Sequence, residues 1–193
     1  MNYLAHIYLS FGQEDVLIGN FISDFITNKE KSTFSEGIQH GISLHHKIDN
    51  FTDNHPIVSQ VNDLIRPSQG KYTPVVTDIY FDHFLIKNWP QYSDSYLPAF
   101  TRQVYTVLNK HIDIYPDNLK ALVPIMIRDN FLLACENEPR LRKTFQRVAN
   151  RAKYSNNFDK AYDDLMANYS TIETHFDQFF IELKQMASAY VLI

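Results

Sequence analysis

The chain has 193 residues, 45% of them apolar and 21% charged, with a formal net charge of −4 at pH 7. That length suits a single domain over 1–193, the apolar content excludes disordered and fibrous classes, and the negative balance supplies no global field toward nucleic acid or an anionic membrane. Five glycines are too few for a sandwich or barrel full of tight turns, and the lone Cys135 cannot form an internal disulfide.

In chain order, helical patterns lie around 15–28, 36–50 and 56–66, separated by Pro, Gly or Asn-Asp punctuation. Thr73-Pro74 reads as a helix start, a Thr cap followed by Pro in the first turn, and the run continues unbroken to Trp89-Pro90, longer than a typical strand. Further patterns cover 94–111, 117–134 and 139–153. From an Asn156 or Asn157 cap, Phe158, Tyr162, Leu165, Tyr169, Ile172, Phe176, Phe179, Leu183, Met186 and Tyr190 recur at steps of four and three, which predicts one long amphipathic helix. An aromatic stripe of this kind is core packing before it is a ligand face. The expected fold is an all-α single-domain bundle. No apolar run approaches the ~18 residues of a membrane span, and Met1-Asn2-Tyr3 lacks the basic flank of a secretory signal, so a soluble cytoplasmic protein bound to neither membrane nor nucleic acid is expected.

Groups able to hold a metal cluster in the first half of the chain. His45 and Asp49 stand four apart, one helical turn, so both can point at one site. Asp78 and Asp82 repeat that spacing, His83 follows directly, and His6 and Asp24 sit inside apolar runs. Taken singly, each has a plain reading: His6 as a hydrogen-bonded core histidine, Asp24 as a cap or ion-pair partner, His45 with Asp49 as a weak helix-surface pair. Together they are costly. Two carboxylates at ~4 Å repel by about 4 kcal/mol at an effective dielectric of ~20, and a divalent cation turns that repulsion into coordination. Mixed imidazole and carboxylate donors suit Mn²⁺, Fe or Zn²⁺, with Mg²⁺ where oxygens dominate. His40, His46, His111 and His175 lack a second donor at ligand spacing, and Asp53-Asn54 before His55-Pro56 reads as a turn or cap.

Between Pro139 and Lys153 the chain turns basic; on a helix Arg140, Lys143, Arg147 and Arg151 form one stripe beside an apolar one of Leu141, Phe145, Val148 and Ala152. A solvated face is the plain reading, and a docking face for an acidic partner is the functional one. There is no G-x-S-x-G, P-loop, G-x-G-x-x-G or paired C-x-x-C, so Ser and Cys nucleophiles and dinucleotide chemistry lack support.

Met1-Asn2-Tyr3-Leu4-Ala5-His6, Gly19-Asn20-Phe21-Ile22-Ser23-Asp24-Phe25, Gly41-Ile42-Ser43-Leu44-His45 with Ile48-Asp49, Thr52-Asp53-Asn54, and Asp78 through Asp82-His83-Phe84-Leu85 to Trp89 resemble the acyl carrier protein phosphodiesterases. The blocks span about the first half of the chain. The resemblance implies an all-helical relative of the His/Asp (HD) metal-dependent phosphohydrolases that uses Mn²⁺ or Mg²⁺ to remove the 4′-phosphopantetheine arm from holo acyl carrier protein. Where the family often has arginines, this chain has His46 and Gly70-Lys71. The expected site therefore places one or two metals, Mn²⁺ first with Mg²⁺ or Fe as alternatives, among Asp24, His45, Asp78 and Asp82. Asp49, His83 and His6 serve there as acid, base or ligand. Lys71, Arg66 and Arg151 balance the phosphate, and Arg140, Lys143 and Arg147 dock the acidic carrier. A hydrolase of nucleotides or other small phosphoesters and a non-catalytic helical binding module are the competing expectations.

Overall fold

The apolar periodicities do become helices. A computed structural model describes residues 1–192 as an all-α domain, with no strand among the described residues. The helices are α1 (Tyr3–Tyr8), α2 (Glu14–Ile22), α3 (Asn28–Lys31), α4 (Glu36–Asp53), α5 (Pro56–Gln69), α6 (Thr73–Lys87), α7 (Trp89–Tyr92), α8 (Leu97–Lys110), α9 (Asp117–Arg128), α10 (Glu138–Ala149), α11 (Ala161–Ala167) and α12 (Tyr169–Val191).

Two helices organise the rest. In α6 every residue from Ile79 to Ile86 is buried, so it is apolar on nearly all sides, as a central helix must be. Helix α12 lays its stripe of Ile172, Phe176, Phe179 and Leu183 against α4, α5 and α6, with Phe81 of α6 at 5.3 Å from both Phe176 and Phe179. Helix α1 bridges α2 and α6, and α10 covers α6 and α11.

Helix α2 packs against α4 with the two backbones in direct contact. A Cβ added to Gly19 would come within 2.0 Å of the Ile38 carbonyl oxygen, and one on Gly41 within 2.2 Å of that of Val16. Only two glycines facing each other let the backbones approach so closely. The consequence is that the Asn20 backbone reaches the middle of α4.

Several predicted boundaries are corrected. The segment 15–28 ends its helix at Ile22 and continues as a 3₁₀ turn, Ser23–Phe25, because a Thr27–Glu30 capping box starts the short α3. The pattern over 117–134 breaks after Arg128, where Asn130 adopts the left-handed conformation (φ 51°) that asparagine tolerates. The expected single C-terminal helix from Asn156 or Asn157 is divided into a 3₁₀ turn at Phe158–Lys160, α11 and α12, with the break at Asn168. The Asn168 amide donates to the Asp164 carbonyl oxygen at 3.0 Å, the local competition that makes asparagine a poor interior helix residue. Asn157 caps nothing and donates instead to the Ser68 carbonyl oxygen at 2.7 Å. Thr73 opens α6 without capping it; its hydroxyl donates to the Gly70 carbonyl oxygen. The basic segment is helical only to Ala149, so Arg151 and Lys153 lie beyond α10.

Candidate metal centre

His6 comes from α1, and His45 and Asp49 come from successive turns of α4; both histidines are buried. Asn20, on α2, orients the pair. Its side-chain NH₂ donates to the His6 carbonyl oxygen at 2.6 Å and to Ser10 Oγ at 3.3 Å, which leaves its Oδ1 to accept from His6 Nδ1 at 2.8 Å. Its backbone oxygen accepts from His45 Nδ1 at 2.9 Å. Both rings therefore carry the proton on Nδ1 and turn Nε2 inward, the arrangement common to metal-binding imidazoles.

Both Nε2 atoms meet carboxylates. His6 Nε2 lies 3.2 Å from Asp49 Oδ1, and His45 Nε2 lies 3.1 Å from Asp49 Oδ2 and 3.2 Å from Asp24 Oδ1. The rings stack with centroids 4.1 Å apart. Donor atoms of His6, His45 and Asp49 all fall within 4.8 Å of one another.

A lone pair facing a carboxylate is unfavourable unless a proton or a cation lies between them. Without a metal, one proton can serve only part of the set. Burial opposes charge on His45, but the hydrogen bonds it donates to Asp24 and Asp49 outweigh it and raise its pKa to about 9. Burial lowers His6 to about 4 despite the pull of Asp49. Asp49 would be raised by burial, yet the two histidines hold it well below the usual carboxylate range, and His45 lowers Asp24 too. A divalent cation would face two imidazole nitrogens and one or two carboxylates at once, so the donor set fits one.

The other expected residues are distributed differently. Asp78 pairs with the Met1 α-amino group at 3.2 Å, which lies 3.9 Å from Asp49, so Asp78 borders the centre. Asp82 is buried, burial raises its pKa to about 8, and its Oδ1 has no hydrogen-bond partner. Both line a cavity of about 320 Å³ with Tyr3, Arg147 and Arg151, and neither belongs to the three-residue grouping. Burial, then the Asp24 charge, pushes the Tyr3 phenol up to about 12 against the pull of Arg151, so Tyr3 stands within reach of both. His83, expected as an acid or base, is turned away: its Nδ1 bonds the Cys135 carbonyl oxygen and its Nε2 the Tyr169 hydroxyl, each at 2.9 Å.

Of the expected phosphate-binding residues, Arg66 pairs with Asp63 and Lys71 sits 3.0 Å from the Tyr154 ring centroid, so both are engaged on the surface. Arg140, Lys143 and Arg147 do share a groove of about 260 Å³, although Arg140 also donates to the Leu133 carbonyl oxygen at 2.7 Å. His55 itself, through Nδ1, caps α5 ahead of Pro56. Sequence reasoning passed over Asn20, whose signal was a polar amide alone in Val16-Leu17-Ile18-Gly19-Asn20-Phe21-Ile22.

No helix among the described residues is long and apolar enough to cross a membrane. No solved structure matches the chain. The protein of Photorhabdus laumondii named acyl carrier protein phosphodiesterase is 28% identical over 188 residues, covering 97% of this chain and 95% of its own. The Serratia proteamaculans protein of that name is 28% identical with 97% of each chain covered, and the Escherichia coli O6:H1 one is 28% identical over the full length of both. The family model described as acyl carrier protein phosphodiesterase matches residues 1–183, and the chain belongs to that family.

Proposed function

We propose that the protein is a metal-dependent phosphodiesterase that removes the 4′-phosphopantetheine arm from holo acyl carrier protein, leaving the apo carrier. The observation that carries this reading is the convergence of two Nδ1-protonated histidines on one carboxylate. The relatives named for this activity support it over the whole chain. His6, His45 and Asp49, from α1 and α4, would hold the cation as an HD-like set, with Asp24 beside them outside the ligand set. Two imidazoles with carboxylates suit Mn²⁺ ahead of Mg²⁺ or Fe. A divalent cation there supplies Lewis acidity and a nucleophile at neutral pH.

The chain's own groups do the remaining work. Asn20 keeps each Nε2 free of its proton by holding Nδ1–H. Asp24, whose side chain is 57% exposed, takes the proton of the attacking water, while Asp49 stays ionised between the rings. Arg151 balances charge on the phosphoryl oxygens from the Tyr3 side. The acidic carrier docks on the face carrying Arg140, Lys143 and Arg147.

The test is to incubate purified protein with holo carrier, with and without Mn²⁺, and to read loss of the arm by mass spectrometry beside a phosphoester panel. Mn²⁺-dependent loss supports the reading. Turnover of nucleotides or small phosphoesters alone replaces it with a small-molecule hydrolase. No turnover and no retained metal makes the protein a non-catalytic helical module.

A further inference from the structure

The cavity beside the centre contains a feature that hydrolysis at the metal does not use. Asp82 is 6% exposed and its Oδ1 has no partner, a cost of about 1–3 kcal/mol for a buried acceptor unless a donor arrives from outside the chain. Ile79, Met126 and Phe131 give the cavity apolar walls, and the exposed Arg147 and Arg151 stand at its mouth. Arg151 makes no ion pair among the described residues. The cavity borders the centre, since Asp78 on its wall shares the Met1 amino group with Asp49. Its volume, about 320 Å³, is at the lower end of small-ligand sites.

A ligand matching these surfaces is a flexible chain with apolar segments, an amide N–H in its interior and an anion at one end. We infer that this cavity is the subsite for the pantetheine arm: its phosphate end lies between the centre and Arg151, its methylene segments lie on Ile79, Met126 and Phe131, and an amide N–H donates to the Asp82 carboxyl group once that group turns toward it. This rests on the carrier protein phosphodiesterase reading and assigns the arm its place within it. The arm, and not the phosphate alone, then carries much of the substrate's binding.

Val75 lies on the cavity wall, outside the centre and 39% exposed, so Val75→Trp fills the cavity from its edge without overpacking the core; Val148→Trp, from α10, is the second variant. Binding of 4′-phosphopantetheine and of inorganic phosphate to the Mn²⁺-loaded protein is measured by calorimetry. The wild type binds 4′-phosphopantetheine at least about tenfold more tightly than phosphate, and both tryptophan variants erase that advantage while phosphate affinity stays within about twofold. Equal wild-type affinities for the two ligands, or folded variants that keep the full advantage, overturn the proposal. Holo-carrier hydrolysis is assayed separately. A wild type that releases no arm overturns the functional reading, whereas a wild type and a Val75→Trp variant that release it equally fast overturn the subsite alone.

Discussion

Because the Asn20 amide is anchored by the His6 carbonyl oxygen and Ser10, its Oδ1 can only accept, and His6 is committed to the Nδ1–H form. Replacing Asn20 with Leu removes that commitment while keeping the branched shape of the side chain. The ¹⁵N spectrum of His6 should then change from the Nδ1–H pattern to a mixture of tautomers, and Mn²⁺ affinity should fall about 10–100-fold, as for other lost partners of metal-binding histidines; an unchanged ring spectrum would contradict the assigned role. His45 makes a prediction about pH. Its pKa in the folded, metal-free protein is about 9, above the ordinary 6.5. The folded state therefore holds its proton more tightly, and the stabilisation is complete below about 6.5 and lost as pH rises to about 9. In chelator-treated protein, thermal unfolding should show wild-type stability falling through that window by about 1–3 kcal/mol more than His45→Gln does. The spacing of His45 and Asp49 was legible in the sequence because a helix converts four residues into one turn. The part played by Asn20 was not legible, since its partners belong to other helices.

At the level of helices, the approach of α2 to α4 brings Asn20 and Asp24 to His45. Gly41→Ala puts a methyl group where the Val16 carbonyl oxygen stands, 2.2 Å away. The helices must separate, with a loss of about 3 kcal/mol or more, seen as a Tm lower by about 6–12 °C, together with a loss of Mn²⁺ affinity. Loss of stability with intact metal affinity would show that the crossing does not set the site. Helix α10 contributes charge. Its burial of Leu141 and Phe145 was readable from periodicity, as was the basic stripe beside them. Arg128→Glu with Lys143→Glu, both lining the basic groove, should raise KM for holo carrier about tenfold at low salt and less at high salt, with kcat for bis(4-nitrophenyl) phosphate unchanged. Equal loss on both substrates would place the defect in the centre instead.

The whole molecule couples this centre to folding, because His6, Asn20, His45 and Asp49 come from three helices and share donors only when all three are packed. Any ion bound to the folded state alone must stabilise it. At 100 times its dissociation constant Mn²⁺ should add about 2.7 kcal/mol, a Tm gain of about 5–10 °C, absent in Asp49→Ala and reversed by chelator. An equal gain in Asp49→Ala would place the ion elsewhere. Helicity, the aromatic face of α12 and the His45–Asp49 pair were determined by the sequence itself, because side chains three and four residues apart share a helix face whatever surrounds them. The turning of His83 toward Cys135 and Tyr169 and the placing of Asp82 in the neighbouring cavity were decided by tertiary structure, whereas the break at Asn168 follows a local hydrogen bond to Asp164. Their causes are contacts between residues 50 or more positions apart or a local hydrogen bond that overrides a continuing apolar pattern, and neither leaves a period in the sequence.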